Sequence, residues 1–320
     1  MELQILTMKK LTIAIAILAS VIGFASCEKV LDVDLPAGVN GIVFEGYIEN
    51  GQFPYVLVSR SSSYFDPINT AAEAILNSLV TPDSVFITVD GVRTAMDLTC
   101  LSDLTPEQQQ EALDILGFPS FPEDLDLCLY TKFAMVGELG KSYTMDAYVE
   151  GEKYTATTSI GIQIMFDSLW YKDETPLDDS LGSIWVNLTD PLATTDYYYV
   201  WTENLTQNRP MAPIDGGPSF GDRLFAGEQI SFNIWQGSNL ANDDGSGEEY
   251  WWFREGDTVV VKLGTIDQGV YEFWESVDAA SNLNPFSSPT PVFSNFDNGG
   301  RGVWAGYATT LDTFVCVLNP

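Results

Sequence analysis

The side chains of this 320-residue chain that could do chemistry are mainly carboxylates, with four cysteines and no histidine. The absence of histidine excludes Ser-His-Asp and Cys-His nucleophile systems and every metal site that needs an imidazole ligand. The chain has 45 acidic side chains, so some carboxylates lie close together by chance, and no spacing singles out a pair for glycosidase chemistry. We therefore expect no enzymatic activity, no metal site and no cofactor.

One cysteine, Cys27, lies in a pattern that predicts covalent lipidation. A short basic segment, Met8-Lys9-Lys10, precedes a mostly apolar run over residues 11–24, which is shorter than the ~20 residues of a membrane-spanning helix. Small residues then precede the cysteine, as in the lipobox of a bacterial lipoprotein. We expect residues 1–26 to be a signal peptide and the Cys27 thiol to be acylated. An ordinary secretory signal with an incidental cysteine is the alternative.

The residues around Cys27 also predict a destination. Glu28 follows the cysteine, whereas an aspartate there favours inner-membrane retention in many Gram-negative bacteria, so we expect a lipid anchor in the outer membrane. Residues 27–40 would form an acidic tether, and acidic residues at this place indicate the cell surface in some Gram-negative groups. The net charge of −31 excludes nucleic acid as a partner, because a phosphate backbone requires a basic footprint.

Two further cysteines, Cys100 and Cys128, are candidates for a disulfide. A bridge would close a loop of about 28 residues and stabilise by on the order of 3 kcal/mol in the chain-entropy model. An oxidising compartment permits the bond. The alternative is a pair of buried thiols that pack as small apolar side chains. Cys316 alternates with Phe314 and Leu318, so we expect it in a core.

Aromatic residues offer the best candidates for binding. Tyr250, Trp251, Trp252 and Phe253 directly follow an Asp- and Gly-rich segment, so we expect their rings to be partly exposed and to contact a ligand or a partner protein. That segment, residues 242–249, has oxygen ligands of the kind calcium prefers but lacks the alternating spacing of an EF-hand loop. We expect a solvated loop there.

The elements that must position these residues are strands joined by tight turns. Asn50-Gly51 and Asp90-Gly91 are hairpin signals between β-rich runs. A third hairpin is predicted with Gly151-Glu152 at a type II′ turn, because residues 143–150 alternate strictly between apolar and polar. The triplet 259–261 is apolar throughout, which is typical of a strand buried on both faces.

Two or three helices are expected among the strands. Thr105 is a suitable N-cap, Pro106 a suitable first residue, and Gln108 completes a capping box. Residues 268–280 carry apolar side chains at helical spacing and predict a packed helix. Residues 70–79 predict a further short helix.

The whole pattern predicts an all-β fold with two β-sandwich domains, immunoglobulin-like or transthyretin-like, and one or two short helical insertions. The N-terminal β-sandwich would span residues 41–160, and the C-terminal β domain residues 161–320.

Several segments, taken in their order along the chain, carry a family resemblance that spans about residues 27–318. They are residues 42–48, 61–65, 140–144, 154–158, 256–259, 271–274, 284–289 and 302–307. Together they resemble the lipoprotein family known as domain of unknown function 4249. The resemblance implies a two-domain β protein on the outer membrane whose gene often lies beside that of a TonB-dependent receptor, and it implies no chemistry.

These observations favour a surface-exposed outer-membrane lipoprotein that serves as a non-enzymatic accessory subunit of a TonB-dependent receptor, a barrel protein that takes up nutrients. The alternative is a stand-alone glycan- or peptide-binding module that uses Trp251, Trp252 and their neighbours. A hydrolase with a carboxylate pair ranks third.

Overall fold

A computed structural model describes residues 41–61, 78–115, 127–174, 180–237, 250–281 and 291–318. Cys27, the tether, the acidic segment 242–249 and most of the helix expected over 70–79 lie outside these ranges. Within them the fold is all-β and sandwich-like, as predicted. No helix in the described ranges is long and apolar enough to cross a membrane.

The described ranges contain two α-helices, seventeen strands and two short 3-10 helices, Leu101–Asp103 and Asp222–Leu224. The α-helices are α1 (Pro106–Ile115) and α2 (Gln268–Ser281). The strands are β1 (Ile42–Glu49), β2 (Tyr55–Arg60), β3 (Ser84–Val89), β4 (Val92–Ala95), β5 (Asp97–Cys100), β6 (Cys128–Thr131), β7 (Lys141–Val149), β8 (Glu152–Ile160), β9 (Ser168–Asp173), β10 (Leu181–Thr189), β11 (Tyr197–Asn204), β12 (Arg209–Pro213), β13 (Ser219–Gly221), β14 (Gln229–Ile234), β15 (Phe253–Arg254), β16 (Thr258–Ile266) and β17 (Arg301–Val315).

A nine-stranded sheet runs through both halves of the chain. Its order is β12-β11-β16-β17-β1-β2-β6-β5, with β13 also paired to β11. The long C-terminal strand β17 lies parallel to β1 and antiparallel to β16, so it joins the two halves. The chain from Gly38 to Pro320 is accordingly one compact unit. The last strand thus returns to pair with the first, across the boundary that the sequence predicts at residue 160.

Two smaller sheets cover one face of the nine-stranded sheet, which we call the inner face. The sheet β4-β3-β7-β8 encloses one core, which includes Phe44, Met145 and Trp304. The sheet of β9, β10, β14 and β15 encloses another, which includes Ile184 and Val261. The fold is thus two sandwiches side by side that share one sheet, and β17 contributes side chains to both cores.

Two of the three predicted hairpins follow the sequence closely, one of them with a shift. At Asn50-Gly51 the strands β1 and β2 do pair antiparallel, but their last pair is Tyr47 with Tyr55 and only Gly51 has a positive φ, so the connection is longer than the expected two-residue turn. Asp90 and Gly91 have φ of 51° and 77°, so both take the left-handed conformation of a type I′ turn. In the third hairpin Val149 lies opposite Glu152, so the turn residues are Glu150 and Gly151, with φ of 52° and 84°. The predicted position was one residue too late, and the turn is type I′.

The helix starts are set by local hydrogen bonds. The Thr105 amide donates to Gln108 Oε1 at 3.0 Å and the Gln108 amide donates to Thr105 Oγ1 at 3.4 Å, which confirms the predicted capping box. The second predicted helix is also confirmed, and Asp267 caps it by accepting a hydrogen bond from the Val270 amide at 3.0 Å.

The prediction for residues 259–261 was wrong. Val259 and Val261 are buried, but Val260 is only half-buried. Burial on both faces begins at Leu263 and continues to Ile266. The reason is that only this later part of β16 lies beneath the cluster that α2 forms on the other face.

Candidate functional site

The outer face of the nine-stranded sheet, opposite the two sandwiches, carries both helices. Val270 and Phe273 of α2 pack there against Tyr199 and Tyr307. At the other end α1 lies beside β6 and β2, since Ala112 and Tyr55 line one cavity. Between the helices, strands β1 and β2 present side chains that are exposed or half-buried.

A row of aromatic rings crosses this face, and we call it the aromatic row. Its members are Tyr55, Tyr47, Tyr307, Trp201 and Tyr199. Successive ring centroids are 5.3 Å, 6.2 Å, 5.2 Å and 4.5 Å apart. Tyr199 and Tyr307 are buried, whereas the other three rings are half-buried. The row therefore leads from the core beneath α2 to the open surface of β1 and β2.

A glycine makes the aromatic row continuous. Gly264 of β16 lies between the strands that carry Trp201 and Tyr307, and a Cβ there would come within 3.0 Å of the Trp201 ring and 3.2 Å of the Tyr307 ring. Trp274 of α2 then donates a hydrogen bond from Nε1 to Tyr307 Oη at 2.9 Å. The ring of Tyr307 is therefore held in the row both by its packing within the sheet and by a hydrogen bond from α2.

Two carboxylates lie on the same face of β1 as Tyr47, because alternate residues of a strand share a face. Glu49 Oε1 is 2.6 Å from Lys262 Nζ, and that ammonium is 4.9 Å from the centre of the Trp201 ring. Glu45 is exposed and has no ion pair with any described residue. Desolvation by the surrounding side chains nevertheless raises the pKa of the Glu45 carboxyl group.

The negative charge of Glu45 reaches both neighbouring rings. Burial raises the pKa of Tyr47, and the charge on Glu45 raises it further. Burial likewise raises the pKa of Tyr55, with smaller contributions from Glu49 and Glu45. In the described part of the chain, neither hydroxyl makes a hydrogen bond. We call Glu45, Tyr47 and Tyr55 the tyrosine–glutamate depression.

An apolar cavity of about 170 Å³ opens next to this depression. Tyr55 forms one wall, and Leu104 and Ala112 beside and within α1 form another. Phe53 and Phe133 also line it and meet edge to face, with centroids 4.9 Å apart. The described outer face thus combines flat rings, one unpaired carboxylate and an apolar recess.

The disulfide candidates lie beside the same cavity. Cys100 and Cys128 are joined by a disulfide and lie directly opposite each other in β5 and β6. Cys100 lines the cavity, so the bridge holds the last two strands of the sheet beneath α1. Cys316 is a free, buried thiol against the second core, and burial raises its pKa to about 12.

The four aromatic residues that were expected to contact a partner differ in their exposure to solvent. Trp251 is 40% exposed and Trp252 is half-buried. The expected exposure was wrong for Tyr250 and Phe253, which are buried. Phe253 begins β15, which pairs with Gly182 and turns the ring into the second core. Only the two tryptophans therefore reach the surface, on a different part of the fold from the aromatic row.

One cluster of potential metal ligands was not expected from the sequence. Carboxylate oxygens of Asp190, Asp196 and Asp222 lie within 4.8 Å of one another, and all three residues are buried. Burial raises the pKa of Asp196, and the two neighbouring carboxylates add to the effect. Each carboxylate already accepts a hydrogen bond, from Tyr198, Thr194 and the Asp196 amide respectively. We interpret the cluster as structural.

No metal-ligand spacing links these aspartates, so sequence reasoning had no signal for them. The sequence did carry a signal for the tyrosine–glutamate depression. Glu45 and Tyr47 alternate with the apolar Phe44 and Ile48, and that period places both on the face opposite the core.

A comparison with models of known families identifies the family of the chain. Residues 28–312 match the model of a family described as domain of unknown function (DUF4249). No curated protein matches the chain. Two of the segments that carry the resemblance, residues 42–48 and 302–307, pair with each other as β1 and β17 at the centre of the shared sheet. Because the match covers most of its length, the chain belongs to the DUF4249 family.

Proposed function

We propose that this protein is a lipid-anchored outer-membrane lipoprotein, exposed at the cell surface, that serves as a non-enzymatic accessory subunit of a TonB-dependent receptor. The observation that carries the proposal is the outer face, where half-buried tyrosine and tryptophan rings adjoin an open apolar cavity. Tyrosine, tryptophan and phenylalanine are the residues most enriched in protein–protein interfaces, above all in recesses that exclude water.

Exposed apolar side chains extend this surface beyond the cavity. Phe133, which lines the cavity, is followed along the chain by Val136 and Leu139, which are 48% and 45% exposed. Backbone hydrogen bonds tie this loop to its neighbours, since the Gly137 amide donates to the Gln52 carbonyl. Exposed apolar side chains grouped in one segment in this way are typical of a contact site.

The predicted lipid anchor supports the same role. Residues 27–40 could span at most about 50 Å when extended, so the body would stay within reach of a barrel in the same membrane. Tethering of this kind raises the effective concentration of the partner. The family resemblance agrees, because genes of such proteins often lie beside those of TonB-dependent receptors.

Co-purification tests the proposal. A tagged form, expressed at its native level, is isolated from gently solubilised outer membranes, and its partners are identified by mass spectrometry. We expect a barrel of the TonB-dependent receptor class in comparable amount. The Cys27→Ala form, which would lack the anchor, should recover much less, whereas Ser26→Ala, which keeps a small residue before the cysteine, should behave like the wild type. A wild-type protein that recovers no barrel would contradict the proposal.

A further inference from the structure

Cations in this protein repeatedly lie between an aromatic ring and a carboxylate. A cation over a ring is attracted by the ring quadrupole, and a carboxylate on its other side adds a charge-assisted hydrogen bond or ion pair. Three such triads occur in the described part of the chain: Arg93 with Phe86 and Asp146, Lys172 with Trp185 and Glu174, and Lys262 with Trp201 and Glu49.

The tyrosine–glutamate depression has the ring and the carboxylate of this arrangement, but no cation from the described residues lies against them. Tyr47 and Tyr55 lie directly opposite each other on β1 and β2, with their rings 5.3 Å apart and tilted by 40°. Glu45 lies two residues before Tyr47 on the same face. The nearest triad, on the same outer face, already uses Lys262 for Glu49.

The chemistry of the depression selects the kind of cation. A guanidinium is planar, so it stacks on an aromatic face, and it donates two parallel hydrogen bonds to one carboxylate. It is also less strongly hydrated than an ammonium, which lowers the cost of losing water against the half-buried rings of Tyr47 and Tyr55. The net charge of −31 attracts cationic groups to this protein in general, but only a specific set of contacts would hold one in place.

We propose that the tyrosine–glutamate depression binds the guanidinium of an arginine side chain presented by the partner protein. The inference rests on the proposed function and deepens it, since the arginine would belong to the receptor. Glu45 accepts the two hydrogen bonds, while Tyr47 and Tyr55 contact the faces of the guanidinium and its aliphatic stem.

A peptide measures this binding directly. The probe is acetyl-Gly-Arg-Gly-Arg-Gly-amide, titrated calorimetrically into the full chain in detergent at about 0.15 M salt, where exposed charges more than about 8 Å apart are largely screened. The same peptide with citrulline in place of arginine keeps the shape and removes the charge. We expect the arginine peptide to bind and the citrulline peptide to bind at least tenfold more weakly.

Matched variants locate the site. Glu45→Gln should weaken binding of the arginine peptide about tenfold, whereas Glu152→Gln, which removes an exposed acid elsewhere, should change it less than twofold. Tyr47→Phe keeps the ring and should bind like the wild type, and Tyr47→Leu should lose affinity. Thermal melting of each variant separates a lost contact from a lost fold.

Three outcomes would overturn the inference. Equal losses for Glu45→Gln and Glu152→Gln would mean diffuse attraction only, and equal binding of the citrulline peptide would remove the role of charge. Binding of a neutral oligosaccharide that Tyr47→Leu abolishes, without binding of the arginine peptide, would identify a sugar site instead.

The membrane experiment separates this inference from the proposed function. If tagged Glu45→Gln recovers the receptor as well as Glu152→Gln does, the subunit role stands and the arginine site falls. If the arginine peptide binds at Glu45 but the wild type recovers no receptor, the site stands and the subunit role falls.

Discussion

At the scale of single residues, glycines explain how large aromatic side chains meet across this sheet. Gly46 of β1 leaves room for Trp304, since a Cβ there would lie 2.7 Å from the indole ring. Gly302, with φ of 91°, lies so close to Phe44 that a Cβ would reach 2.0 Å from its carbonyl oxygen. The two central strands thus depend on glycine at positions where any side chain would push β1 and β17 apart.

A buried carboxyl group predicts a pH effect on stability. Oδ2 of Asp215 is buried without a hydrogen-bond partner, and burial raises the pKa of this residue to about 6. The folded chain therefore binds the proton more tightly than the unfolded chain, whose pKa is near 3.8. The stability from this group is fully present below that lower value and is lost as the pH rises through 6.

The variant Asp215→Asn stays neutral at every pH and tests this effect. At pH 8 we expect it to be more stable than the wild type by on the order of 1–2 kcal/mol, after allowance for partial exposure, and the gain should shrink at pH 5. Urea unfolding at the two pH values measures it. Asp312→Asn, an exposed control, should show little change. A gain that does not depend on pH would refute the explanation.

At the scale of elements, the sequence predicted the turns and helix starts, because these depend on residues that are close together along the chain. The turn at Asp90-Gly91 and the capping box at Thr105 are set by a few adjacent residues, so their patterns were sufficient. The parallel pairing of β1 with β17 joins residues more than 250 positions apart, and no local pattern specifies it. The shared sheet and the aromatic row follow from that pairing, so they could not be predicted.

One capping residue also connects elements. Oδ2 of Asp267 accepts hydrogen bonds from Thr158 Oγ1 at 2.6 Å and the Ser159 amide at 2.9 Å, while Oδ1 caps α2. Asp267→Ala should therefore lower the free energy of unfolding by about 2–3 kcal/mol, the sum of a lost cap and two lost hydrogen bonds.

Denaturant unfolding measures the loss at Asp267. Asp267→Asn keeps an acceptor and a good N-cap, so it should lose clearly less than the alanine variant. A loss below about 0.5 kcal/mol for Asp267→Ala would show that the three hydrogen bonds are replaced by water and do not tie α2 to β8.

At the scale of the whole molecule, the shared sheet gives the two sides of the body different roles. Two hydrophobic cores occupy the inner face, and a four-stranded sheet covers each of them. The outer face is covered by α2 at one end and bordered by α1 at the other, and the open strands between them carry the tyrosine–glutamate depression. A partner that docks on the outer face would meet the rings, the carboxylate and the cavity together.

The central claim is that this outer face contacts a TonB-dependent receptor, and a photo-crosslink in intact cells tests it most directly. A benzoylphenylalanine at position 57 lies on β2 opposite Glu45, and one at position 92 lies on the exposed hairpin of a small sheet on the other side. We predict a light-dependent adduct with the receptor barrel from position 57 and little or none from position 92. No barrel adduct from position 57, or equal adducts from both positions, would contradict the account.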